Sequence, residues 1–268
     1  MATFHLLFIA VLQGITEFLP VSSSGHLILV PALTGWDDQG QVIDVALHVG
    51  TLAAVVLYFW RDVQLIVFGI PRLLVGQFDS PGAKLAFLLL VATGPVVLAG
   101  LAVKLSGLDD VMRSSLELIG WTMLGFGGLL WWCDKTGNFD QKAQQWSLRH
   151  AVIMGLWQAL ALIPGTSRSG ICITGARRLG YGRADAAKLS MLMSIPTIIA
   201  SGVLLGAEVM VIESASLFVD AVLAAVFAFL AALAALVLMM RLLQTVSFTP
   251  YVIYRLVIGL GLLIWAYA

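Results

Sequence analysis

The sequence has few charged residues: 11% of its 268 residues are Asp, Glu, Lys or Arg, whereas soluble domains carry about 25%. Hydrophobic residues make up 60% of the chain, and the mean hydropathy is +0.98. The polar residues occur in clusters that long apolar runs separate. This pattern excludes an ordinary soluble domain and predicts a helical membrane protein, because a helix satisfies its own backbone hydrogen bonds in lipid.

Cysteine is scarce as well, and neither sign of charge is in excess. The two cysteines, Cys133 and Cys172, lie far apart, which excludes a disulfide framework and a zinc site. The net charge is zero, so nothing indicates nucleic acid as a partner. The first apolar stretch has no basic residues before it and contains Glu17. We therefore interpret it as part of the mature fold rather than as a signal peptide.

Long apolar runs are abundant, and six of them approach the roughly 20 residues that a bilayer-spanning helix needs. The six segments are 44–60, 84–104, 115–132, 188–206, 217–240 and 251–267. Two shorter segments, 4–19 and 150–163, each lead into a turn that contains proline and serine. Such interrupted segments are typical of re-entrant helices. The predicted fold class is an all-α polytopic membrane protein with six transmembrane helices plus two re-entrant helical hairpins.

The basic residues predict the orientation of these spans. Twelve Lys or Arg residues lie in or beside the connections 61–83, 133–187 and 241–250, which share one side. The opposite side holds two, Lys104 and Arg113. Because basic residues concentrate on the cytoplasmic side, we expect a multi-pass membrane protein with both termini outside.

The two short segments resemble each other. Gln13 and Gln158 lie 145 residues apart, and so do Gly25 and Gly170. Chance similarity between two turns of small residues is the alternative interpretation. The complementary polar residues of the two turns favour a repeat.

This similarity predicts a single membrane domain, 1–268, built from two repeats. Repeat one covers 1–133 and repeat two covers 147–268, and each holds one re-entrant segment and three spans. Because three is odd, the second repeat is inverted relative to the first. The prediction is therefore an inverted-topology repeat whose two hairpins meet near the middle of the membrane.

The turn after the first short segment carries ionisable groups, which are expensive within a membrane and by default mark function. Glu17 precedes this turn and His26 follows it, and Gln13 shares a helix face with Glu17 because four residues separate them. Residues 22–25 offer three hydroxyls and consecutive backbone N–H groups. Such a turn at a helix end is suited to holding phosphate oxygens.

The turn after the second short segment supplies a positive charge. Arg168 lies between Ser167 and Ser169, and glycines flank the group on both sides. Arginine binds phosphate through paired hydrogen bonds. Together the two turns offer a carboxylate, an imidazole, hydroxyls and a guanidinium, which are the parts of a phosphoryl-transfer site.

These motifs carry a resemblance to a known family. Residues 13–26 closely resemble the first signature of the undecaprenyl-diphosphate phosphatases of the bacitracin-resistance type, residues 164–170 resemble the second, and residues 247–255 resemble the C-terminal end. The resemblance implies hydrolysis of undecaprenyl diphosphate to undecaprenyl phosphate and inorganic phosphate, which recycles the lipid carrier for peptidoglycan synthesis. It also implies a location in the bacterial inner (plasma) membrane, and it implies that a divalent cation, Mg²⁺ or Ca²⁺, assists.

The resemblance assigns roles to particular residues. It implies that Glu17, Ser23, His26 and Arg168 are catalytic and that Glu17 is the metal ligand. The substrate-binding residues that we expect are Gln13, Ser22, Ser24, Gly25, Thr166, Ser167 and Ser169. The first motif position is often Glu in this family and is Gln13 here, which removes one of two carboxylates that a cation site on this helix would use.

Several alternatives stay open at this point. Either Ser23 attacks with His26 as general base, or His26 itself attacks or activates water. A transporter or flippase of polyprenyl phosphate lipids is the alternative function, since inverted repeats build such proteins too. The pairing of His26 with Glu17 favours the enzyme. The expected partners are the lipid substrate and membrane lipids, and the sequence leaves a homodimer open.

Three further interpretations concern the surroundings of these turns. His48 lies four residues after Asp44 and is interpreted as making a helix-end hydrogen bond rather than a catalytic dyad. Arg255 in the last span is expected to pair with a carboxylate or to reach the cytoplasmic surface. Because residues 20–43 lie outside in the predicted topology, the active pocket is expected to open outward.

Overall fold

The computed structural model describes residues 3–108, 111–112, 115–137, 139–206 and 215–268, so Arg113 lies outside the described residues. Those residues form helices and connections without a named strand. The helices are α1 (Thr3–Phe18), α2 (Ser23–Thr34), α3 (Gly40–Tyr58), α4 (Trp60–Leu74), α5 (Pro81–Ser106), α6 (Leu116–Lys135), α7 (Leu148–Ala159), α8 (Arg168–Arg178), α9 (Arg183–Gly206), α10 (Ala215–Leu242) and α11 (Thr249–Tyr267). The all-α prediction is confirmed for the described part of the chain.

The six predicted spans correspond to six helices, α3, α5, α6, α9, α10 and α11, that are long and apolar enough to cross a membrane. Each helix extends past its apolar segment at one end at least, and α9 begins at Arg183 rather than at 188. The reason is that hydropathy marks only the part of a helix that suits lipid, whereas the backbone hydrogen bonds continue into the polar flanks. The end predicted at 60 is wrong, because α3 ends at Tyr58 and Trp60 begins α4. The protein is a multi-pass membrane protein.

One helix was not predicted. The connection 61–83, which the charge pattern placed on the cytoplasmic side, contains most of α4, an amphipathic helix that packs against α5. The two backbones approach closely at Gly69 and Gly82, where an added Cβ would collide with the facing main chain. An amphipathic helix too polar to span and with one apolar face is typical of a segment that lies along the membrane surface.

The two short apolar segments are helical, as predicted, and each is followed by a turn and a second short helix. The first turn, residues 19–22, joins α1 to α2. The second turn, residues 163–167, joins α8 to a 3-10 turn, Leu160–Leu162, that extends α7. Serine caps both following helices: the Ser22 side chain accepts a hydrogen bond from the Gly25 N–H at 3.3 Å, and Ser167 accepts one from Gly170 at 3.1 Å.

Small residues hold α1 in place against α10 and α3. Ala224, Ala228 and Ala232 are fully buried on one face of α10, at the four-residue spacing of a helix. A Cβ on Gly14 of α1 would lie 2.6 Å from the Ala228 carbonyl oxygen, and one on Gly50 of α3 would overlap that of Ala225. Membrane helices associate through such close contacts because lipid provides no hydrophobic drive between them. This packing positions the α1 face that carries Gln13 and Glu17.

A buried ion cluster holds the far end of α8. Asp134 at the end of α6 lies 2.9 Å from Arg177 of α8 and 2.9 Å from Arg183 at the start of α9. The Arg177 guanidinium also stacks over the Phe139 ring at 3.4 Å. Two arginines around one carboxylate compensate the burial of that charge. The cluster therefore ties α6, α8 and α9 together at the end of α8 opposite the second turn.

Candidate functional site

The first turn places Ser23 at the start of α2 and orients His26 one helical turn later. Ser22 has a φ of 75°, a left-handed conformation that a non-glycine residue adopts only when its surroundings require it. The His26 Nδ1 lies 2.6 Å from the Ser22 carbonyl oxygen. Because a carbonyl can only accept, Nδ1 carries the proton and donates. The histidine thus stabilises the turn that it follows.

The second turn has the same local design and directly contacts the first. Ser167 has a φ of 72°, and Arg168 is the first residue of α8. The Ser169 hydroxyl donates to the Leu19 carbonyl oxygen in the first turn at 2.8 Å. The predicted meeting of the two turns is therefore observed.

Glu17 lies at the centre of the contact between the turns. Its Oε1 lies 2.8 Å from Arg168 Nη2 of the second turn. Its Oε2 accepts hydrogen bonds from the Ser23 hydroxyl at 2.7 Å and from Gln13 Nε2 at 3.0 Å. Both carboxylate oxygens of this buried side chain are thus engaged with donors, and one of those donors is a cation. This arrangement satisfies a charge that would otherwise be very unfavourable within a membrane.

His26 is directed away from Glu17 and Ser23. Its Nε2 lies 2.6 Å from the Tyr254 hydroxyl of α11, and the two rings are nearly parallel with centroids 5.6 Å apart. Since Nδ1 donates to Ser22, Nε2 of the neutral ring accepts the tyrosine proton. The proton of Ser23 is bonded to Glu17 instead. The geometry therefore gives Glu17, rather than His26, direct access to the serine proton.

A cavity of about 140 Å³ opens beside Ser23. Its lining includes Gln13, Ser23 and Ser24 on one side and Asp44 and His48 of α3 on the other. The remaining polar lining comes from the connection between α2 and α3. Phosphate oxygens that entered this cavity would meet the Ser23 hydroxyl and the N-terminal end of α2, whose N–H groups favour anions.

The predicted site residues fall into groups according to what they contact. Gln13, Ser23 and Arg168 bond directly to Glu17. The other predicted serines and the glycine build the two turns through their own hydrogen bonds: Ser22, Ser24, Gly25, Ser167 and Ser169. Thr166 is fully buried in the second turn, and its hydroxyl has no partner among the described residues. His26 belongs to the first turn but contacts Tyr254 rather than the other catalytic candidates.

The expectation for Arg255 is wrong. Its guanidinium is fully buried and donates to the carbonyl oxygens of Gly165 at 3.0 Å and Thr122 at 3.4 Å, so in the described part of the chain it neither pairs with a carboxylate nor reaches the surface. The Thr122 hydroxyl bonds to the Pro164 carbonyl at 2.6 Å. Both bonds come from Nη2, whereas Nε and Nη1 have no hydrogen-bond partner among the described residues. Arg255 and Thr122 therefore clamp the second turn from α11 and α6.

Two residues that the motifs did not single out as functional lie at the site. Tyr254 contacts His26, and His48 lies with its Nε2 3.4 Å from Gln13 Nε2. The interpretation of His48 as making a helix-end hydrogen bond is confirmed, since its Nδ1 lies 2.7 Å from the Asp44 carbonyl oxygen. The other ring nitrogen faces the site, and sequence spacing has no signal for that contact because 35 residues separate His48 from Gln13.

Comparison with known proteins adds a family likeness that covers most of the chain. A family model described as bacitracin resistance protein BacA matches residues 6–261. The chain is 67% identical over 268 residues to a protein of Ruegeria pomeroyi named undecaprenyl-diphosphatase, and 67% identical to one of Dinoroseobacter shibae with the same name, with all of each chain covered. It is 43% identical to undecaprenyl-diphosphatase 1 of Rhodospirillum rubrum, across 100% of this chain and 96% of that protein.

Proposed function

The chain belongs to the bacitracin resistance protein BacA family and hydrolyses undecaprenyl diphosphate to undecaprenyl phosphate, and we propose that it does so at the contact between its two turns. The observation that carries the proposal is the Glu17 carboxylate, which joins the Ser23 hydroxyl of one turn to the Arg168 guanidinium of the other. A nucleophile, a proton acceptor and a phosphate-binding cation are thereby held within one hydrogen-bonded group.

The proposed first step is attack by Ser23 on the terminal phosphorus. The Ser23 proton passes to Glu17 Oε2, 2.7 Å away, while the oxygen forms the new bond and undecaprenyl phosphate leaves with the bridging oxygen. Arg168 and the N-terminal N–H groups of α2 and α8 bind the equatorial phosphate oxygens. Arg168 has donors to spare, because Nη2 contacts Glu17 and Nη1 contacts the Ser190 carbonyl at 3.3 Å with further N–H groups left over.

The proposed second step returns the enzyme to its starting state. Water attacks the phosphorus of the phosphoserine and the bond from phosphorus to the Ser23 oxygen breaks, while Glu17 returns its proton to that oxygen. Inorganic phosphate leaves with both protons of the water. In this scheme His26 supports the first turn through the Ser22 carbonyl. The alternative routes, with His26 as general base or nucleophile, require its Nε2 to leave the Tyr254 hydroxyl.

The expected divalent cation does not fit as a resident group of the protein. Both oxygens of Glu17 already accept hydrogen bonds, and one faces the Arg168 guanidinium, which would repel a second cation. In the described residues no group of three or more His, Cys, Asp or Glu side chains is arranged to hold a metal ion. We therefore derive no step through a protein-held cation. A Mg²⁺ or Ca²⁺ ion that assists would be bound by the diphosphate oxygens of the substrate rather than by the protein.

We further propose that the fold is an inverted-topology repeat with two re-entrant hairpins. Support comes from reciprocal packing: α1 of repeat one (1–133) packs against α10, and α7 of repeat two (147–268) packs against α5, the helix in the corresponding position. In each hairpin the serine cap, the glycine three residues later and the glutamine before the turn correspond at 145 residues. Hairpins that exchange sides in this way would bring both turns to the middle of the membrane.

The outward opening of the site is also a proposal. The cavity beside Ser23 is lined by Asp38, Gln39 and Asp44, on the side that carries few basic residues, whereas the Asp134 ion cluster lies at the basic side. With the basic side cytoplasmic, both termini lie outside. A membrane-impermeant phosphate analogue should then inhibit right-side-out vesicles. Inhibition of inside-out vesicles alone would reverse the orientation.

Phosphate release from undecaprenyl diphosphate by the purified protein in detergent tests the site. Release should be lost in Ser23→Ala and Arg168→Ala, and Glu17→Gln should be equally impaired because an amide cannot take the serine proton. Rapid acid quenching during turnover should trap an acid-stable phosphoenzyme, as a phosphoserine is. An acid-labile adduct would assign the nucleophile to His26. Bound lipid without phosphate release by folded wild type would favour the transport alternative.

A further inference from the structure

We propose that Gln13 and His48 form a positioning pair that orients the Glu17 carboxylate. The proposal rests on the function proposed above, because it concerns the same carboxylate. It assigns a role to His48 of α3, which lines the cavity beside Ser23.

The hydrogen-bonding roles along this chain of groups follow from its two ends. The Asp44 carbonyl oxygen, 2.7 Å from His48 Nδ1, can only accept, so Nδ1 carries the proton. Nε2 of the neutral ring is then an acceptor, and it lies 3.4 Å from Gln13 Nε2. At the other end, the Glu17 carboxylate accepts from the same Gln13 nitrogen at 3.0 Å. The two protons of one amide nitrogen thus serve two acceptors.

This pairing leaves the Gln13 amide a single favourable orientation. If the amide turned over, its oxygen would face both the Glu17 carboxylate and the lone pair of His48 Nε2, and both contacts would become repulsive. Gln13 is fully buried, and its Oε1 has no hydrogen-bond partner among the described residues. The N–H end alone therefore positions the side chain, and His48 contributes one of its two acceptors.

The hydrogen bond from Gln13 fixes the direction in which each oxygen of the Glu17 carboxylate points. With the amide proton on Oε2 beside the Ser23 proton, the carboxylate plane is fixed and Oε1 is left for Arg168. An amide at position 13 can donate to Glu17, which a carboxylate at this position could not do. The pair therefore orients Glu17 through hydrogen bonds from neutral groups.

Two variants of matched polarity separate a hydrogen-bonding role from a packing role. A glutamine at 48 can place an acceptor near the position of the histidine Nε2, whereas an asparagine is shorter and reaches only the position of Nδ1. We expect His48→Asn to lower kcat about tenfold with KM unchanged, the size of one lost hydrogen bond, and His48→Gln to stay within about threefold of wild type. Circular dichroism and thermal unfolding establish that both variants fold.

Cation binding by the substrate-free protein is the second measurement. We expect isothermal titration with Ca²⁺ to show no saturable site on wild type, whereas Gln13→Glu should acquire one and, without added cation, lose about tenfold in kcat because a carboxylate cannot donate to Glu17. Equal activities of the two folded His48 variants would overturn the proposal, as would saturable Ca²⁺ binding by wild type that Glu17→Gln abolishes. An inactive wild type would instead overturn the proposed function, since the titration needs no turnover.

Discussion

The first and second turns have nearly the same backbone design but carry different chemistry. Ser22 and Ser167 are the two non-glycine residues with positive φ in the described part of the chain, at 75° and 72°. The side chain of each accepts a hydrogen bond from the N–H of the glycine three residues later and so caps a helix. The hydroxyl of each also lies within hydrogen-bond distance of the hydroxyl of the serine two residues later, at 3.3 Å in the first turn and 3.2 Å in the second. At the corresponding positions beside them, the first turn has Ser23 and the second has Arg168.

The difference teaches how two turns with the same backbone conformation can build an asymmetric site. Two identical turns would present two like charges or two hydroxyls to each other, and like charges in a membrane repel strongly. Here Glu17 of one hairpin corresponds to Leu162 of the other, so the carboxylate meets a guanidinium rather than a second carboxylate. The shared geometry brings the two turns together, and the divergent side chains separately supply the nucleophile and the phosphate-binding cation that we propose.

The strongest test of this division of roles is the removal of the charge that only the second turn supplies. Arg168→Ala should reduce kcat about 10³-fold, the upper range for deletion of a preorganised group that stabilises transition-state charge. Arg168→Lys should recover only part of the loss, because lysine lacks the planar fork that binds two oxygens. The measurement is phosphate release at saturating substrate. A lysine variant as active as wild type would show that charge alone is sufficient.

The second test compares how tightly the two turns are enclosed. Gly165 of the second turn has a φ of 84°, and a Cβ there would collide with the Thr122 hydroxyl and lie 2.8 Å from the Ile119 carbonyl oxygen. Gly165→Ala should therefore destabilise the protein by about 3 kcal/mol. Gly25→Ala, in the helix that follows the first turn, should be milder, because its Cβ would meet only the end of a side chain, the terminal methyl of Met123 at 2.9 Å, as its closest neighbour. Thermal unfolding in detergent compares the two, and equal losses would contradict the difference in enclosure.

The third test asks whether the two serine caps are equivalent. Ser22→Ala and Ser167→Ala should each lower stability by about 2 kcal/mol, because alanine loses the cap and retains the strain of a positive φ. Glycine at either position should restore most of the loss, since it adopts positive φ without steric cost. Thermal unfolding of the four variants decides the matter. A large loss in one turn and none in the other would mean that the shared backbone is not equally important.

The smallest effect is expected at Tyr254, whose hydroxyl contacts His26 of the first hairpin. Tyr254→Phe removes the hydroxyl 2.6 Å from His26 Nε2 and should lower kcat/KM about threefold, since His26 keeps its bond to the Ser22 carbonyl. Tyr251→Phe, one helical turn earlier on α11, is the matched control and should behave as wild type. A loss of a hundredfold or more in Tyr254→Phe would make His26 a direct participant in proton transfer and would weaken the role given to Glu17.

Much of the fold followed from hydropathy, because the membrane imposes a minimum length on every span. The six apolar segments predicted six helices correctly, whereas α4 was missed because an amphipathic helix at a surface has no long apolar run. Within the site, the motifs predicted that Glu17, Ser23 and Arg168 come together. They misjudged Arg255, since a single sequence does not show that two backbone carbonyls would accept from its guanidinium.

By itself the sequence determined the membrane class, the six spans, the family and the two polar turns, because these depend on composition and on short stretches of neighbouring residues. Only the tertiary structure decided that Ser23 donates to Glu17, that His26 faces Tyr254 and that His48 faces Gln13. These contacts depend on the direction of side chains on separate helices, and packing of small residues between those helices sets that direction. Sequence spacing has no measure of it, since residues that meet in the site are as far apart as 228 positions along the chain.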